Sequence, residues 1–147
     1  VTVNDFADRA PRSLADKEVL QTGRHHLQFL ATPHVPHCWD AGFFFDQAER
    51  TLLCSDLFFH PGDPEPLIET DIVGRARDAI LGSLDGPLAN DMPYTPYTHN
   101  TLERLAALEP ATLAVMHGSS FRGGGGKAIL DLAAVLKAAL GQPEGRS

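Results

Sequence analysis

The stretch Pro33-His34-Val35-Pro36-His37-Cys38-Trp39-Asp40-Ala41-Gly42 constrains this chain more than any other. Its prolines fix φ and remove backbone donors, so no regular element runs through it. It lies between two strand-like runs, His25–Thr32 and Gly42–Asp46, and places two histidines and a carboxylate on one short loop. Two later positions also set a polar side chain at the exit of an apolar run. Asp56 ends Leu52-Leu53-Cys54-Ser55-Asp56, and His117 ends Leu113-Ala114-Val115-Met116-His117. A carboxylate at such an exit is costly to bury unless it is paired or metal-bound. Imidazole, carboxylate and imidazole together make a donor set for zinc, iron or manganese.

The 147 residues suit one domain with a modest core, residues 1–147 being taken as a single unit. A net charge of −7 argues against a nucleic-acid surface, which needs a clustered basic face. No apolar run reaches the roughly 18 residues of a membrane span. The first residues, with Asp5, Asp8, Arg9 and Pro11, lack the apolar core of a signal peptide. The expected location is therefore cytoplasmic. The chain starts at Val1, which fits processing or a missing front portion. A disulfide between Cys38 and Cys54 stays open, but buried reduced thiols are the favoured reading.

Along the chain, residues 1–22 read as a lead-in loop with a short strand near Glu18–Gln21, and the last residues as a frayed tail. His25 and His26 open a strand beside Gly23 and read as solvated. Phe43, Phe44 and Phe45 suggest a strand buried on both faces. A polar turn over Gln47–Arg50 joins it to a strand at Thr51–Ser55, forming a hairpin. Leu57–Pro66 is a loop whose His60 and Asp63 read as solvated. Asp71–Leu84 reads as a helix capped by Asp71. Asp85–Tyr97 is a long loop. Asn100 and Glu103 look like a capping box for a helix ended by Pro110, and His99 reads as a surface residue. Thr112–Met116 is a short strand, and Gly123–Gly126 a flexible run before a helix over Lys127–Leu140. Gly126-Lys127 is no phosphate-binding loop: Phe121 stands where that motif needs Gly, and Ala128 where it needs Ser or Thr.

Taken together, these segments resemble the second half of the metallo-β-lactamase fold, nearest the flavodiiron and oxygen-binding di-iron branch. His37 lies three places before Asp40, as in that branch's ligand loop, and Asp46 falls nine places after His37, at its hairpin. Leu52-Leu53-Cys54-Ser55-Asp56 resembles its Leu-Phe-Ser-x-Asp segment, and Met116-His117-Gly118 its last ligand motif. Asp56 follows His37 by 19 residues and His117 follows Asp56 by 61, spacings similar to those of flavodiiron proteins. The resemblance covers about residues 20 to 140. It implies an α/β fold: the C-terminal half of an αββα sandwich, a mixed sheet flanked by helices, with the helices on one side.

The resemblance further implies two divalent metal ions, iron or zinc, with Asp56 bridging and His37 and His117 each binding one. His34 competes with His37, since zinc hydrolases of the superfamily often carry His followed by x-Pro; the hairpin spacing favours His37. His34, Cys38, Asp40 and Ser119 are candidates to orient a ligand by hydrogen bonding. The family's first-half motif, His-x-(His/Glu)-x-Asp-His, is absent from the sequence. The chain therefore reads as a partial domain, completed by a homo-oligomer, a partner chain or a further segment. No flavin-binding stretch is visible, and nothing points to nucleic acid or membrane. The implied activity, when complete, is binding or reduction of oxygen or nitric oxide at two irons. The alternatives are a zinc-dependent hydrolase and a non-catalytic truncated domain serving as a binding or structural partner.

Overall fold

Three strand runs that share one direction set the architecture. The computed structural model describes residues 8–9, 11–37, 41–87, 89 and 91–141. The strands are β1 (Val19–Thr22), β2 (His25–Ala31), β3 (Gly42–Asp46), β4 (Thr51–Leu53), β5 (Leu67–Ile68), β6 (Thr112–Ala114) and β7 (Ser120–Arg122). The helices are α1 (Ile72–Ser83), α2 (Thr98–Ala106) and α3 (Gly125–Leu140). One seven-stranded mixed sheet runs β1-β2-β3-β4-β6-β7-β5. The pairs β1–β2, β2–β3, β3–β4 and β6–β7 are antiparallel, whereas β4–β6 and β5–β7 are parallel. Hence β2, β4 and β6 all point the same way.

Strand alternation divides the sheet into two unlike faces. Leu30 pairs with Phe43, Phe45 with Leu52, Leu52 with Leu113, Leu113 with Phe121 and Phe121 with Ile68. All of these side chains are buried. They share one core with Ile72, Ala76 and Ile80 of α1, Leu102 and Leu105 of α2, and Ile129, Leu132 and Leu136 of α3. Helix α3 packs against both other helices. The opposite face carries Leu27, Phe29, Phe44, Leu53 and Ala114. Phe29 and Phe44 meet edge-on there with centroids 5.6 Å apart. Leu53 remains 43% exposed, and the other four are half-buried. The expected sheet with helices on one side is therefore found. The phenylalanine run is buried on one face only: Phe43 and Phe45 lie under the helices, while Phe44 faces outward.

Several boundaries differ from expectation for identifiable reasons. The strands expected at Thr51–Ser55 and Thr112–Met116 end at Leu53 and Ala114. Ser55 turns the chain with φ 46°. Strands β5 and β7 were not legible, because two or three residues leave no alternation to read. Helix α2 starts at Thr98 with Tyr97 at its N-cap, so Asn100 lies inside the first turn and makes no capping box. Thr98 Oγ1 instead accepts from Thr95 N at 2.9 Å, and Glu103 pairs with His99 at 3.2 Å. Asp71 occupies the N-cap of α1 but in a left-handed conformation with no side-chain cap bond. Its carboxylate instead lies over Gly74, where a Cβ would come within 2.1 Å of Oδ1. The lead-in of residues 1–7 and the tail of 142–147 fall outside the described residues. No described helix is long and apolar enough to cross a membrane.

The glycine run is rigid at its end, because α3 begins at Gly125, two residues earlier than read. A Cβ on Gly125 would stand 2.5 Å from Pro110 O, and one on Gly126 2.7 Å from Ala106 O. These glycines let α3 dock against the backbone that leaves α2. In an open helix, Gly→Ala gains about 1 kcal/mol of propensity. At this docking point the clash is with backbone, and overpacking costs about 1–3 kcal/mol. Gly125→Ala is therefore expected to lower stability, read as a lower urea midpoint with an unchanged slope.

Asp46 ties the β3–β4 hairpin to β2. Its Oδ1 accepts from Ala48 N at 3.0 Å, and its Oδ2 lies 2.6 Å from His25 Nδ1. His25, read as solvated, is thus engaged. Burial works to raise the Asp46 pKa, but the hydrogen bond and charge of His25 and the N–H groups of Ala48 and Glu49 outweigh it and hold the carboxyl below its ordinary value. A carboxyl with a lowered folded pKa stabilises fully above its unfolded value of about 3.9 and loses that contribution as pH falls through the folded value. Asp46→Asn is expected to flatten the wild-type loss of stability below about pH 4, read from denaturant melts across an acid series.

Candidate metal centre

Because β2, β4 and β6 are co-directional, the segments that leave their C-terminal ends emerge at one edge of the sheet. That edge is where open α/β sheets generally gather ligands. The loop after β2 carries His37, the turn after β4 carries Asp56, and the turn after β6 carries His117. Local bonds fix each one. Thr32 N donates to Ala41 O at 2.8 Å, closing the first loop, and Thr32 Oγ1 donates to Val35 O at 2.8 Å. Cys54 N donates to Ala114 O at 3.0 Å and Met116 N to Ser55 O at 3.0 Å, so the second and third segments continue the β4–β6 pairing past its last residue.

The three side chains converge on Asp56. His37 Nε2 lies 3.1 Å from Asp56 Oδ2, and His117 Nε2 lies 3.6 Å from Asp56 Oδ1. Each imidazole thus addresses a different carboxylate oxygen. His37 and Asp56 are largely buried, whereas the His117 side chain is 60% exposed. On its other side, His37 Nδ1 lies 3.3 Å from Asp91 Oδ2.

Asp56 Oδ1 is buried and accepts no hydrogen bond among the described residues. A buried acceptor left unsatisfied costs about 1–3 kcal/mol. Donor–metal bonds of about 2.0–2.2 Å place neighbouring ligands of one ion roughly 3–3.5 Å apart. The 3.1 Å separation falls within that spacing and the 3.6 Å separation just beyond it. The nitrogen and oxygen donors and the orphaned oxygen therefore suit a cation at each side of Asp56. Each cation would receive two donors from these residues. Among the described residues, no group of three or more His, Cys, Asp or Glu is placed to hold a metal ion by itself.

The turn that bears His117 is braced from below by His60. His60 is buried; its Nδ1 lies 3.0 Å from Phe58 O, and its Nε2 accepts from Ser119 N at 2.9 Å. His60 N donates to His117 O at 3.1 Å. Both ring nitrogens are thereby committed, which makes His60 a brace and no candidate ligand. Gly118 sits at φ 128° with the His60 ring 2.6 Å from where a Cβ would stand, so only glycine fits both the conformation and the space. Ser119 Oγ accepts from Arg75 Nη1 at 3.1 Å, and Arg75 also pairs with Glu65 at 3.0 Å. The His60 brace and the Asp91 contact are the two supports that no local sequence signal marks. His60 was read as solvated, and Asp91 was lost in a Pro- and Gly-rich loop with no local pattern.

Of the remaining candidates, His34 adopts φ 63° and is half-buried, and His37 is the loop histidine within reach of Asp56. Ser119 anchors the turn of His117, as stated. Cys38 and Asp40 lie outside the described residues, as does any pairing of Cys38 with Cys54. A cavity of about 210 Å³ opens beside Asp56, Asp91 and His117.

No protein-family model matches the sequence, and no curated protein matches it. Solved structures do resemble the fold. The rubredoxin oxygen:oxidoreductase of Desulfovibrio gigas is 21% identical with a TM-score of 0.69, over 89% of this chain and 33% of that one. The flavodiiron protein of Giardia intestinalis is 21% identical with a TM-score of 0.63, over 85% and 30%. The chemotaxis sensor ODP, solved as a peroxy diiron species, is 16% identical with a TM-score of 0.63, over 81% and 50%. The chain thus spans about a third of the length of the first two and half of the third. These likenesses establish a metallo-β-lactamase-like fold of the flavodiiron type, as the resemblance implied.

Cys54 is wholly buried behind Asp56, and burial pushes its thiol up to about 12. It is therefore protonated and inert at neutral pH. In a Cys38→Ser variant, where Cys54 is the only thiol, an alkylating reagent at pH 8 should label none of the folded chain and all of it in urea, read by mass.

Proposed function

We propose that the chain supplies part of a two-metal centre, with His37 on one ion, His117 on the other and Asp56 bridging through its two oxygens. One observation carries this reading: the two imidazoles address separate oxygens of one largely buried carboxylate, and the oxygen facing His117 has no hydrogen-bond donor. A bridging carboxylate also offsets part of the charge of two close cations. Asp91 then orients His37 through its second nitrogen, the usual arrangement behind a ligating histidine. Bound ions at this position supply Lewis acidity, and iron adds electron transfer.

The di-iron reading rests on the fold likeness, since the similar structures are named as flavodiiron and diiron proteins. On that reading the complete protein binds or reduces oxygen. Zinc suits the same donors, so hydrolysis is the second chemistry to test. With two donors per ion, the centre is completed from beyond these residues, by a further segment, a partner chain or a second copy. The open sheet face of Leu27, Phe29, Phe44 and Leu53 supports such a covering partner, because contiguous apolar surface of this kind marks an interface. A chain without that partner serves as a binding or structural module.

Elemental analysis after incubation with iron(II) or zinc, with mass measured in solution, tests the proposal. The wild-type chain is expected to retain metal, Asp56→Ala to lose it, and Asp91→Asn to bind about 10–100-fold more weakly. Retention unchanged in Asp56→Ala, or no retention by the wild type, overturns it.

A further inference from the structure

The cavity beside the centre has walls unlike a metal site. Phe59, Ala79, Ile80, Met92 and Leu140 line it with carbon. Ser83 contributes the one wall hydroxyl among the described residues, and that hydroxyl already donates to Ile80 O at 2.8 Å. The polar lining is Asp56, Asp91 and His117, which the contacts above draw together. Phe59 sets its ring edge-on to His117 with centroids 6.3 Å apart, so the apolar wall continues directly into the proposed ligand set.

Size and charge narrow the occupant. Pockets for drug-sized ligands run about 300–1,000 Å³, and an apolar cavity of about 150 Å³ holds benzene. At about 210 Å³ this cavity accommodates one ring with small substituents and far exceeds a diatomic molecule. In the metal-free chain, two carboxylates in the lining disfavour an anion, and a wall whose hydroxyl already donates offers little to a hydrogen-bonding group. We propose that the cavity is the substrate-side pocket of the centre and takes a neutral apolar group of about one aromatic ring in size. Calling the occupant a substrate rests on the two-metal reading; its binding does not.

The test is a titration of the metal-free full chain with benzene and with benzoate, followed by the His117 imidazole resonances. Saturable benzene binding that shifts His117, with benzoate at least about tenfold weaker, is the expected result. Ala79→Phe and Leu140→Trp each fill the cavity from a different wall, and each should weaken benzene about tenfold or more. Absent benzene binding, binding that leaves His117 unmoved, equal affinity for benzoate, or unchanged affinity in a folded filling variant overturns the proposal. Should both variants unfold, the wild-type titration alone decides. Benzene binding without metal retention would sink the two-metal reading and keep the cavity. Metal retention without benzene binding would sink the cavity alone.

Discussion

The half-buried carboxylate of Asp56, with its Oδ1 enclosed, is the constraint on which the rest of this structure turns. A carboxylate stripped of water needs charge or donors on both oxygens. Here one oxygen meets His37 and the other faces His117 beyond hydrogen-bond distance. The protein holds that arrangement with rigid parts: a fully buried Leu52 in β4, a backbone bond from Cys54 into β6, and a closed loop after β2. Were the aim only stability, an apolar residue at position 56 would serve better, since buried charged groups are seldom retained for stability alone. That is the geometry the proposed two-metal reading asks of this residue.

The effort spent on His117 points the same way. Its side chain is largely exposed, yet its turn rests on a buried histidine whose two nitrogens are both engaged, on a glycine no other residue could replace, and on a buried serine held by Arg75. An exposed side chain of no function needs no such support. The bracing fixes the backbone and leaves the imidazole accessible, as the proposed reading requires of a ligand whose centre is completed from elsewhere. The sheet carries the same message, with one face sealed by three helices and the other presenting half-buried leucine and phenylalanine.

How much of this was legible in the sequence follows from how local each signal is. Asp56 and His117 stand out because each ends an apolar run, His37 because it sits on the proline-fixed loop between two such runs, and all three because their order and spacing resemble one family. The β3–β4 hairpin was equally plain, with its polar turn at Gln47–Arg50. Strands β5 and β7 were not, because so few residues hold no period. The Asn100–Glu103 box failed because Thr95 and Thr98 bond to each other and start the helix a half-turn early. Asp91 and His60 matter only through partners 54 and 59 residues away in sequence, His37 and Ser119, and no local pattern encodes such a contact.

Glycine shows the same limit from the other side. The run at Gly123–Gly126 reads as flexibility, since composition records only the missing side chain. Its later members are instead places where backbone meets backbone, Gly125 under Pro110 and Gly126 under Ala106. Gly118 is likewise fixed by the ring of His60, and Gly74 by the carboxylate of Asp71. A glycine's meaning depends on what occupies the space its Cβ would take, and that neighbour is a tertiary fact. In this chain, those neighbours tie α3 to the end of α2 and the His117 turn to the turn after β4. The helical layer and the proposed ligand edge are thus held at the points where the sequence looks least committed.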